Sequence, residues 1–279
     1  MGNDRCYDRC SQAKSQLRQT LAPPPADAHL PLRVSAERVV VVGDSHLGSA
    51  DAGDLSAFHD FLSAVPSMSR RLVITGDLFD FWFEYKFVIP RRPFHTLARL
   101  AALAQQGVAI DVFGGNHDSW GGSFWRRDLG IPFHREGAEM ELAGRRSWVI
   151  HGDGLTETKL GGRIIHRVTR HPITVGTFRL LHPDLGFWLA DKLSGGLAEA
   201  NRTDEAVDRA AAAQERYALA LLDRRPELDL VVMAHTHRQS LVEHQPGRYY
   251  LNAGQWVRDR SYAVIDESEI RLMRWPAKP

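Results

Sequence analysis

The feature that most limits the fold of this 279-residue chain is a series of short β-branched and apolar runs, each followed by a polar segment that contains His or Asp. The runs alternate with helical patterns, and continuous apolar runs of this length are typical of strands buried on both faces. We predict an α/β fold with strands at 38–42, 71–75, 109–113, 147–150, 229–234, 249–252, 261–266 and 269–274. Helices are predicted at 54–65, 93–106, 120–129 and 204–224.

The polar segments that follow the first five runs read, in chain order, GDSH, GD, GNHD, HGD and HTH. Because the carboxyl ends of strands line the ligand crevice of open α/β sheets, all five segments are expected to meet. Each segment alone has an ordinary explanation, since a Gly-Asp after a strand is usually a turn. Together they predict a metal site, and their imidazole, carboxylate and amide groups suit divalent cations that prefer nitrogen and oxygen ligands.

The N-terminal segment, the net charge and the cysteines indicate the surroundings and partners in which this site is expected to work. Residues 1–37 are polar and contain three consecutive prolines, which predicts a loosely ordered extension with one short helix around residues 10–20. A net charge of +1 gives no overall attraction to nucleic acid, so none is expected as a partner. Cys6 and Cys10 are the only cysteines, which favours a reducing cytoplasm, and neither a secretory signal nor a membrane span is expected.

The ordered motifs GDSH, GDLFD, GNHD, HGD and HTH resemble those of the calcineurin-like metallophosphoesterase superfamily over roughly residues 38–260. The resemblance implies a β-sandwich flanked by helices, in four αββα layers, that occupies residues 38–279 and binds two divalent metal ions. One ion would be held by Asp44, His46 and His237, the other by Asn116, His151 and His235, and Asp77 would bridge both. Such ions lower the pKa of water, so that no covalent protein nucleophile is needed.

The spacing of the ligands also carries a structural expectation. Asp44 and His46 are separated by one residue at a strand end, so the two-residue alternation of a strand would place both side chains on one face. The same expectation applies to His235 and His237. By the same alternation His117, which follows Asn116, should point elsewhere, toward the substrate.

His117 and Asp80 are the predicted catalytic pair. The resemblance implies that His117 stabilises the phosphoryl transition state or protonates the leaving group, and that the Asp80 carboxylate orients its imidazole. The alternatives are that His117 is a spacer beside the ligands and that Asp80 caps a helix. Asp118 is assigned to capping the helix at 120–129 and is left out of the site.

The segment GDLFDFW at 76–82 resembles the GDLFE-x-W pattern of the UDP-2,3-diacylglucosamine hydrolases, the LpxH-like branch of lipid A biosynthesis. This resemblance implies hydrolysis of UDP-2,3-diacylglucosamine to UMP and 2,3-diacylglucosamine 1-phosphate, with manganese as the expected metal and iron or zinc as alternatives. Two positions depart from the pattern: His117 stands where several members carry Arg, and Ala234 replaces the Gly usual before the last His-x-His.

A helical lid insertion is predicted at about residues 155–203, where basic and apolar residues are interleaved. Arg163 and Arg167 are one helical turn apart and, with Asn116, His117 and His235, are the predicted substrate contacts. The apolar face would meet acyl chains or the cytoplasmic face of the inner membrane, as a peripheral enzyme does. The alternative is an amphipathic insertion that only packs on the core.

The expected partner is therefore a small-molecule or lipid-linked nucleotide, and the sequence leaves the oligomeric state open. Two competing functions remain at this point. One is a metallophosphodiesterase or phosphatase of other specificity, and the other is a non-catalytic protein-binding scaffold, which would have lost ligands that this chain retains.

Overall fold

The computed structural model describes residues 37–276 apart from 49, 156–167, 169–170 and 198–202. The strands are β1 (Val39–Val42), β2 (Arg71–Ile74), β3 (Ala109–Phe113), β4 (Phe133–His134), β5 (Ala138–Leu142), β6 (Arg145–Val149), β7 (Leu230–Met233), β8 (Ser240–Gln245), β9 (Arg248–Asn252), β10 (Ser261–Ile265) and β11 (Ile270–Arg274). The helices are α1 (Ala52–Met68), α2 (Phe94–Gln105), α3 (Ser123–Arg127), α4 (Pro172–Phe178), α5 (Pro183–Leu197) and α6 (Asp204–Arg224). Residues 1–36 of the predicted extension, with its short helix, lie outside the described residues, as do Arg163 and Arg167.

The strands form two sheets of mixed direction. The first has the order β11-β10-β1-β2-β3-β4, and its four strands β1 to β4 run parallel. The second has the order β5-β6-β7-β9-β8, with β6, β7 and β9 parallel. Parallel neighbours end at the same edge of their sheet, so the segments that follow β1, β2 and β3 lie together, and so do those that follow β6 and β7.

Alternate side chains of the central strands enter different apolar layers. Val41 and Val73 of the first sheet belong to the same buried cluster as Val232 and Leu251 of the second, so the two sheets pack face to face. The other face of the first sheet is covered by α1 and α2, and the other face of the second by α6. The four-layer αββα arrangement that the resemblance implied is therefore confirmed.

The bounds of the predicted elements lie within three residues of the observed ones, with a few further differences. Helix α3 is shorter than the predicted helix at 120–129, because it begins only after Gly121 and Gly122, and glycine disfavours helix. Strands β4, β5 and β8 were not predicted. Both β5 and β8 are edge strands with polar residues on their exposed positions, so they lack the apolar run that marks a central strand.

Helices α4 and α5 lie within the predicted insertion, and aromatic side chains attach them to the rest of the domain. Phe178 of α4 lies 4.6 Å from Phe83 and 5.1 Å from Trp120 between ring centroids. Phe187 of α5 lies 5.2 Å from Phe81. The two helices therefore pack against the loops that follow β2 and β3, where two of the predicted site segments lie.

Candidate metal centre

The predicted ligands lie in the loops after the strands, in an unusual backbone conformation. Asp44, His46, Asp77, His235 and His237 have φ values of +46°, +42°, +49°, +72° and +61°. The left-handed region is uncommon for residues other than glycine, and such residues cluster at functional sites. The expectation that strand alternation would orient the ligands is wrong, because β1 and β7 end before Asp44 and His235, and the left-handed turns orient the side chains instead.

Backbone hydrogen bonds hold these loops to each other. The amides of Ser45 and His46 both donate to the carbonyl of Asp77, at 2.9 Å. Across the two sheets, the amide of His235 donates to the Asp44 carboxylate at 2.9 Å. The loops of both sheets therefore form one connected unit around the predicted ligands.

The first group of ligands consists of Asp44, His46 and His237, whose ligand atoms lie within 4.8 Å of one another. The Nε2 atoms of His46 and His237 are 3.2 Å apart. Imidazole nitrogens that bind one ion at about 2.1 Å are separated by roughly 3 Å, so this pair has the geometry of a shared cation. The Asp80 carboxylate lies 3.3 Å from Nδ1 of His46, and such a carboxylate typically orients a metal-binding imidazole.

The second group consists of Asp77, His151 and His235, again within 4.8 Å of one another. Asp77 also belongs to a further group with His46 and His117. Its Oδ2 atom lies 3.3 Å from Nε2 of His151 and 3.9 Å from Nε2 of His46. Asp77 therefore stands between the two groups, as a bridging carboxylate must.

The protonation chemistry of His151 shows that this site fits a cation. Nδ1 lies 2.9 Å from the carbonyl oxygen of Thr75 and must donate to it, which leaves Nε2 facing Asp77. Within the part of the chain that the structure describes, this buried Nε2 makes no hydrogen bond. Burial disfavours the charged imidazole, but the carboxylates of Asp77 and Asp44 outweigh burial and raise the pKa of His151 to about 10. The carboxylates therefore favour a positive charge at Nε2 of His151, which either a proton or a bound metal cation supplies.

The two buried carboxylates differ in their electrostatics. Burial raises the pKa of Asp44 to about 6, even though the neighbouring His151 lowers it. Burial would also raise the pKa of Asp77, but the charge of His151 and the nearby imidazoles hold it well below the usual range. Two divalent cations would stabilise both carboxylates in the ionised form.

Asn116 lies in the loop after β3 and is exposed. The amide of the next residue, His117, donates to Oδ1 of Asp77 at 2.9 Å, so the loop is attached to the bridging carboxylate. A Cβ atom at Gly115 would lie 2.1 Å from the same oxygen, which explains why the residue before Asn116 is glycine. The roles of Asn116 as a metal ligand and substrate contact stay predictions.

His117 and Asp80 are neighbours, but their contact differs from the predicted one. Nδ1 of His117 lies 2.9 Å from the backbone carbonyl oxygen of Asp80, while the Asp80 carboxylate lies beside His46. The carbonyl rather than the carboxylate therefore orients His117, because the turn after Asp77 directs the Asp80 side chain toward the loop of His46. With Nδ1 donating to this carbonyl, Nε2 is the nitrogen left to serve the substrate.

If His117 has its predicted role, replacing it by Asn is expected to lower kcat about 10²-fold or more, since the predicted proton donor to the leaving group is lost. The apparent affinity for Mn²⁺ should change little, because His117 is not among the predicted ligands. Rates on aryl phosphodiesters with leaving groups of rising pKa test this role. If His117 is a general acid, its replacement should reduce the rate more for poor leaving groups than for good ones. An equal loss of rate for all leaving groups would contradict this role.

The sequence analysis missed the role of Asp118, which is 2% exposed. Its carboxylate accepts hydrogen bonds from the amides of Gly115, Asp77 and Leu78 at 2.7, 3.2 and 2.7 Å. The expected cap of the 120–129 helix is wrong, since Glu84 accepts the amides of Gly122 and Phe124 at the start of α3. Gly121 and Gly122 were the available signal, because they separate Asp118 from any helix that follows.

Comparison with known proteins agrees with this geometry. Residues 37–239 match the calcineurin-like phosphoesterase family, and the chain belongs to that family. It is a metal-dependent hydrolase of phosphoester bonds, from a family that uses a dinuclear metal centre.

Particular relatives carry a more specific name. UDP-2,3-diacylglucosamine hydrolase from Porphyromonas gingivalis is 27% identical over 255 residues, which cover 84% of this chain and 96% of that protein. The UDP-2,3-diacylglucosamine hydrolase of Ralstonia nicotianae is 28% identical over 261 residues, covering 90% and 94%. Among solved structures, the phosphoesterase Yfce from E. coli aligns with a TM-score of 0.43 at 15% identity, over 85% of this chain and 93% of that one.

Proposed function

We propose that this chain hydrolyses the pyrophosphate bond of UDP-2,3-diacylglucosamine and releases UMP and 2,3-diacylglucosamine 1-phosphate. The observation that carries the proposal is the metal centre, in which Asp77 joins two groups of ligands at the edge of an apolar, aromatic insertion. The name shared by relatives that match the chain over most of its length supports this substrate.

The residues of the centre have distinct tasks in this proposal. Asp44, His46 and His237 would hold one ion, Asn116, His151 and His235 would hold the other, and Asp77 would contribute to both. Two Mn²⁺ ions, when bound, would supply an activated water and neutralise the charge that develops on the phosphoryl oxygens. His117, oriented by the Asp80 carbonyl, donates a proton from Nε2 to the departing oxygen.

The insertion supports an acylated substrate rather than a wholly hydrophilic one. Phe81 follows Asp80, and its ring lies 5.9 Å from Trp120 and 5.2 Å from Phe187 of the insertion. An aromatic wall therefore extends from the catalytic loops to α4 and α5. Acyl chains gain from such a surface because contact with it removes their apolar area from water.

The decisive experiment compares substrates under one set of conditions. Full-length protein with Mn²⁺ is assayed on UDP-2,3-diacylglucosamine, on UDP-N-acetylglucosamine and on bis(4-nitrophenyl) phosphate. We expect kcat/KM for UMP release to be at least about 10²-fold higher for the acylated nucleotide, since binding of the acyl chains contributes to the transition state. Activity on the aryl diester alone would refute the proposed substrate and leave a phosphodiesterase of other specificity.

Exposed apolar side chains of the insertion support peripheral contact with a membrane surface. Ile173, Leu180 and Trp188 are 72%, 86% and 57% exposed. Among the residues that the structure describes, no helix combines the length and apolar character that a bilayer span would need. We propose that these side chains insert at the lipid surface from which the substrate is taken.

Changing Ile173, Leu180 and Trp188 together to Ser is expected to lower binding to phospholipid vesicles at least ~10-fold, because three apolar contacts with lipid are lost. Co-sedimentation with vesicles measures the bound fraction, and hydrolysis of detergent-dispersed substrate checks that the protein is folded. Met273→Ser, which changes an exposed apolar residue on β11, is the matched control. Equal vesicle binding by the triple variant and this control would remove the basis for membrane contact.

A further inference from the structure

Gln214 is a fully buried polar residue in α6, between the helix and the second sheet. Its neighbours on the buried face of α6 are apolar, among them Ala218 and Leu222. A buried amide is costly unless its hydrogen bonds are made, so its partners indicate why it is there.

The hydrogen-bond partners of this amide lie on or behind the loop that carries His235 and His237. Nε2 of Gln214 donates to the carbonyl of Ala234 at 3.0 Å. Its Oε1 atom accepts from the Thr236 hydroxyl at 3.3 Å, from Tyr250 at 3.1 Å and from Nδ2 of Asn252 at 3.3 Å. The two residues that flank His235 are therefore both held by one side chain.

The orientation of the amides is determined by the backbone. The amide of Gly254 donates to Oδ1 of Asn252 at 2.9 Å, so Nδ2 of Asn252 must face Thr236 and Gln214. Gln214 must then present Oε1 to these donors and Nε2 to the Ala234 carbonyl. The network is consistent throughout, and each member has a defined role as donor or acceptor.

The same amide also contacts the segment of a third predicted ligand. A Cβ atom at Gly152, the residue after His151, would lie 2.3 Å from Nε2 of Gln214. The carbonyl of His151 accepts from the amide of Ala234 at 2.9 Å. Gln214 therefore lies where the segments of His151, His235 and His237 meet.

The loop needs such support because of its conformation. His235 and His237 both have positive φ values, and residues in this region persist only when their surroundings hold them there. On the surface, α6 makes a second attachment, in which Arg238 pairs with Asp208 at 2.8 Å and with Asp204 at 3.1 Å. Helix α6 thus holds the loop from its buried and its exposed side.

We propose that Gln214 is a positioning residue of the metal centre, which holds the His235-Thr236-His237 loop in the conformation that binds both ions. The inference rests on the proposed two-metal function. It concerns metal binding before any reaction, so binding of Mn²⁺ alone reports on it without the substrate.

The test replaces Gln214 by Met, which has a similar length and shape but cannot form the hydrogen bonds. We expect the apparent dissociation constant of Mn²⁺ to rise at least about 10-fold for one or both ions, as is typical when the groups that orient ligands are lost. Titration of metal-free, full-length protein with Mn²⁺, followed by electron paramagnetic resonance of the free ion, measures this constant.

Leu222→Ala is the matched control, because Leu222 is buried on the same face of α6 and belongs to an apolar cluster that includes Leu228 and Val231. It should lower the melting temperature and leave Mn²⁺ affinity within about twofold of the unchanged protein. If Gln214→Met loses stability as this control does and binds Mn²⁺ as the unchanged protein does, Gln214 serves packing alone and the inference is wrong.

Thr236 provides a second test should Gln214→Met not fold. Thr236→Val removes the hydroxyl that donates a hydrogen bond to Gln214, and Thr236→Ser retains this hydroxyl. Weaker Mn²⁺ binding by the Val variant and recovery in the Ser variant support the inference, and equal binding by both overturns it. Failure of the unchanged protein to bind Mn²⁺ would instead contradict the manganese centre of the proposed function.

Discussion

Asp77→Asn is expected to lower kcat/KM at least about 10³-fold on both UDP-2,3-diacylglucosamine and an aryl phosphodiester. Asp77 is 1% exposed and belongs to two of the three groups of candidate ligands. An amide has one weaker ligand oxygen and no charge, so the repulsion between two neighbouring cations is no longer offset. We expect the protein to retain at most one tightly bound Mn²⁺ per chain, which metal analysis after gel filtration measures.

The control for this variant is Asp111→Asn on β3, which also exchanges a carboxylate for an amide. Asp111 contacts His134 at 2.9 Å and Arg71 at 3.3 Å, away from the centre. This variant should lose stability and keep both ions and its rate. Normal rates in Asp77→Asn would contradict the two-metal mechanism itself.

Asp118→Ala is expected to lower the free energy of unfolding of the metal-free protein by about 3 kcal/mol, as several buried amides lose their acceptor. Its carboxylate joins the loop after β2, at Asp77 and Leu78, to the loop after β3, at Gly115. Burial and the Asp77 carboxylate raise the pKa of Asp118 to about 6, so the hydrogen bonds are formed against an electrostatic cost. The affinity for Mn²⁺ should fall ~10- to 100-fold, because both loops carry ligands.

Urea unfolding measures the loss of stability, and titration with Mn²⁺ measures the loss of metal affinity. Glu84→Gln is the control variant, because it weakens only the cap of α3. The Glu84 carboxylate accepts hydrogen bonds from the amides at the start of α3. This variant should therefore lower the free energy of unfolding by about 1 kcal/mol and leave Mn²⁺ affinity unchanged. If Asp118→Ala behaves like Glu84→Gln, the carboxylate has no special part in joining the two loops.

The strands that carry the site were predictable because each is an apolar run buried on both faces. The run Val39–Val42 is completely buried, and its bounds differ from the predicted ones by one residue. Edge strands such as β5 and β8 could not be found in this way, since nearly all of their side chains are exposed or half-buried. Local sequence reports the burial of a strand well and its position at the edge of a sheet poorly.

The residues around the ligands were harder to predict than the ligands. Asp118 stands just before the helix predicted at 120–129, which favours a local cap, although its partners lie as far away as Leu78. Gln214 stands within an ordinary helical pattern, and only its burial against the loop of His235 distinguishes it. A polar side chain in a helix carries no local sign of which distant backbone group it will contact.

The sequence by itself determined which strands are central, because continuous apolar runs mark strands buried on both faces. It also determined which residues gather at the ends of these strands, because their side chains are of the types that bind divalent metals. Only the tertiary structure decided how the ligands are oriented. Left-handed turns at Asp44, His46, Asp77, His235 and His237 replace the expected strand alternation, and the Asp80 carbonyl rather than its carboxylate holds His117. Such turns persist because hydrogen bonds between loops that are distant in the sequence stabilise them, within the first sheet between Ser45 and Asp77 and across the two sheets between His235 and Asp44.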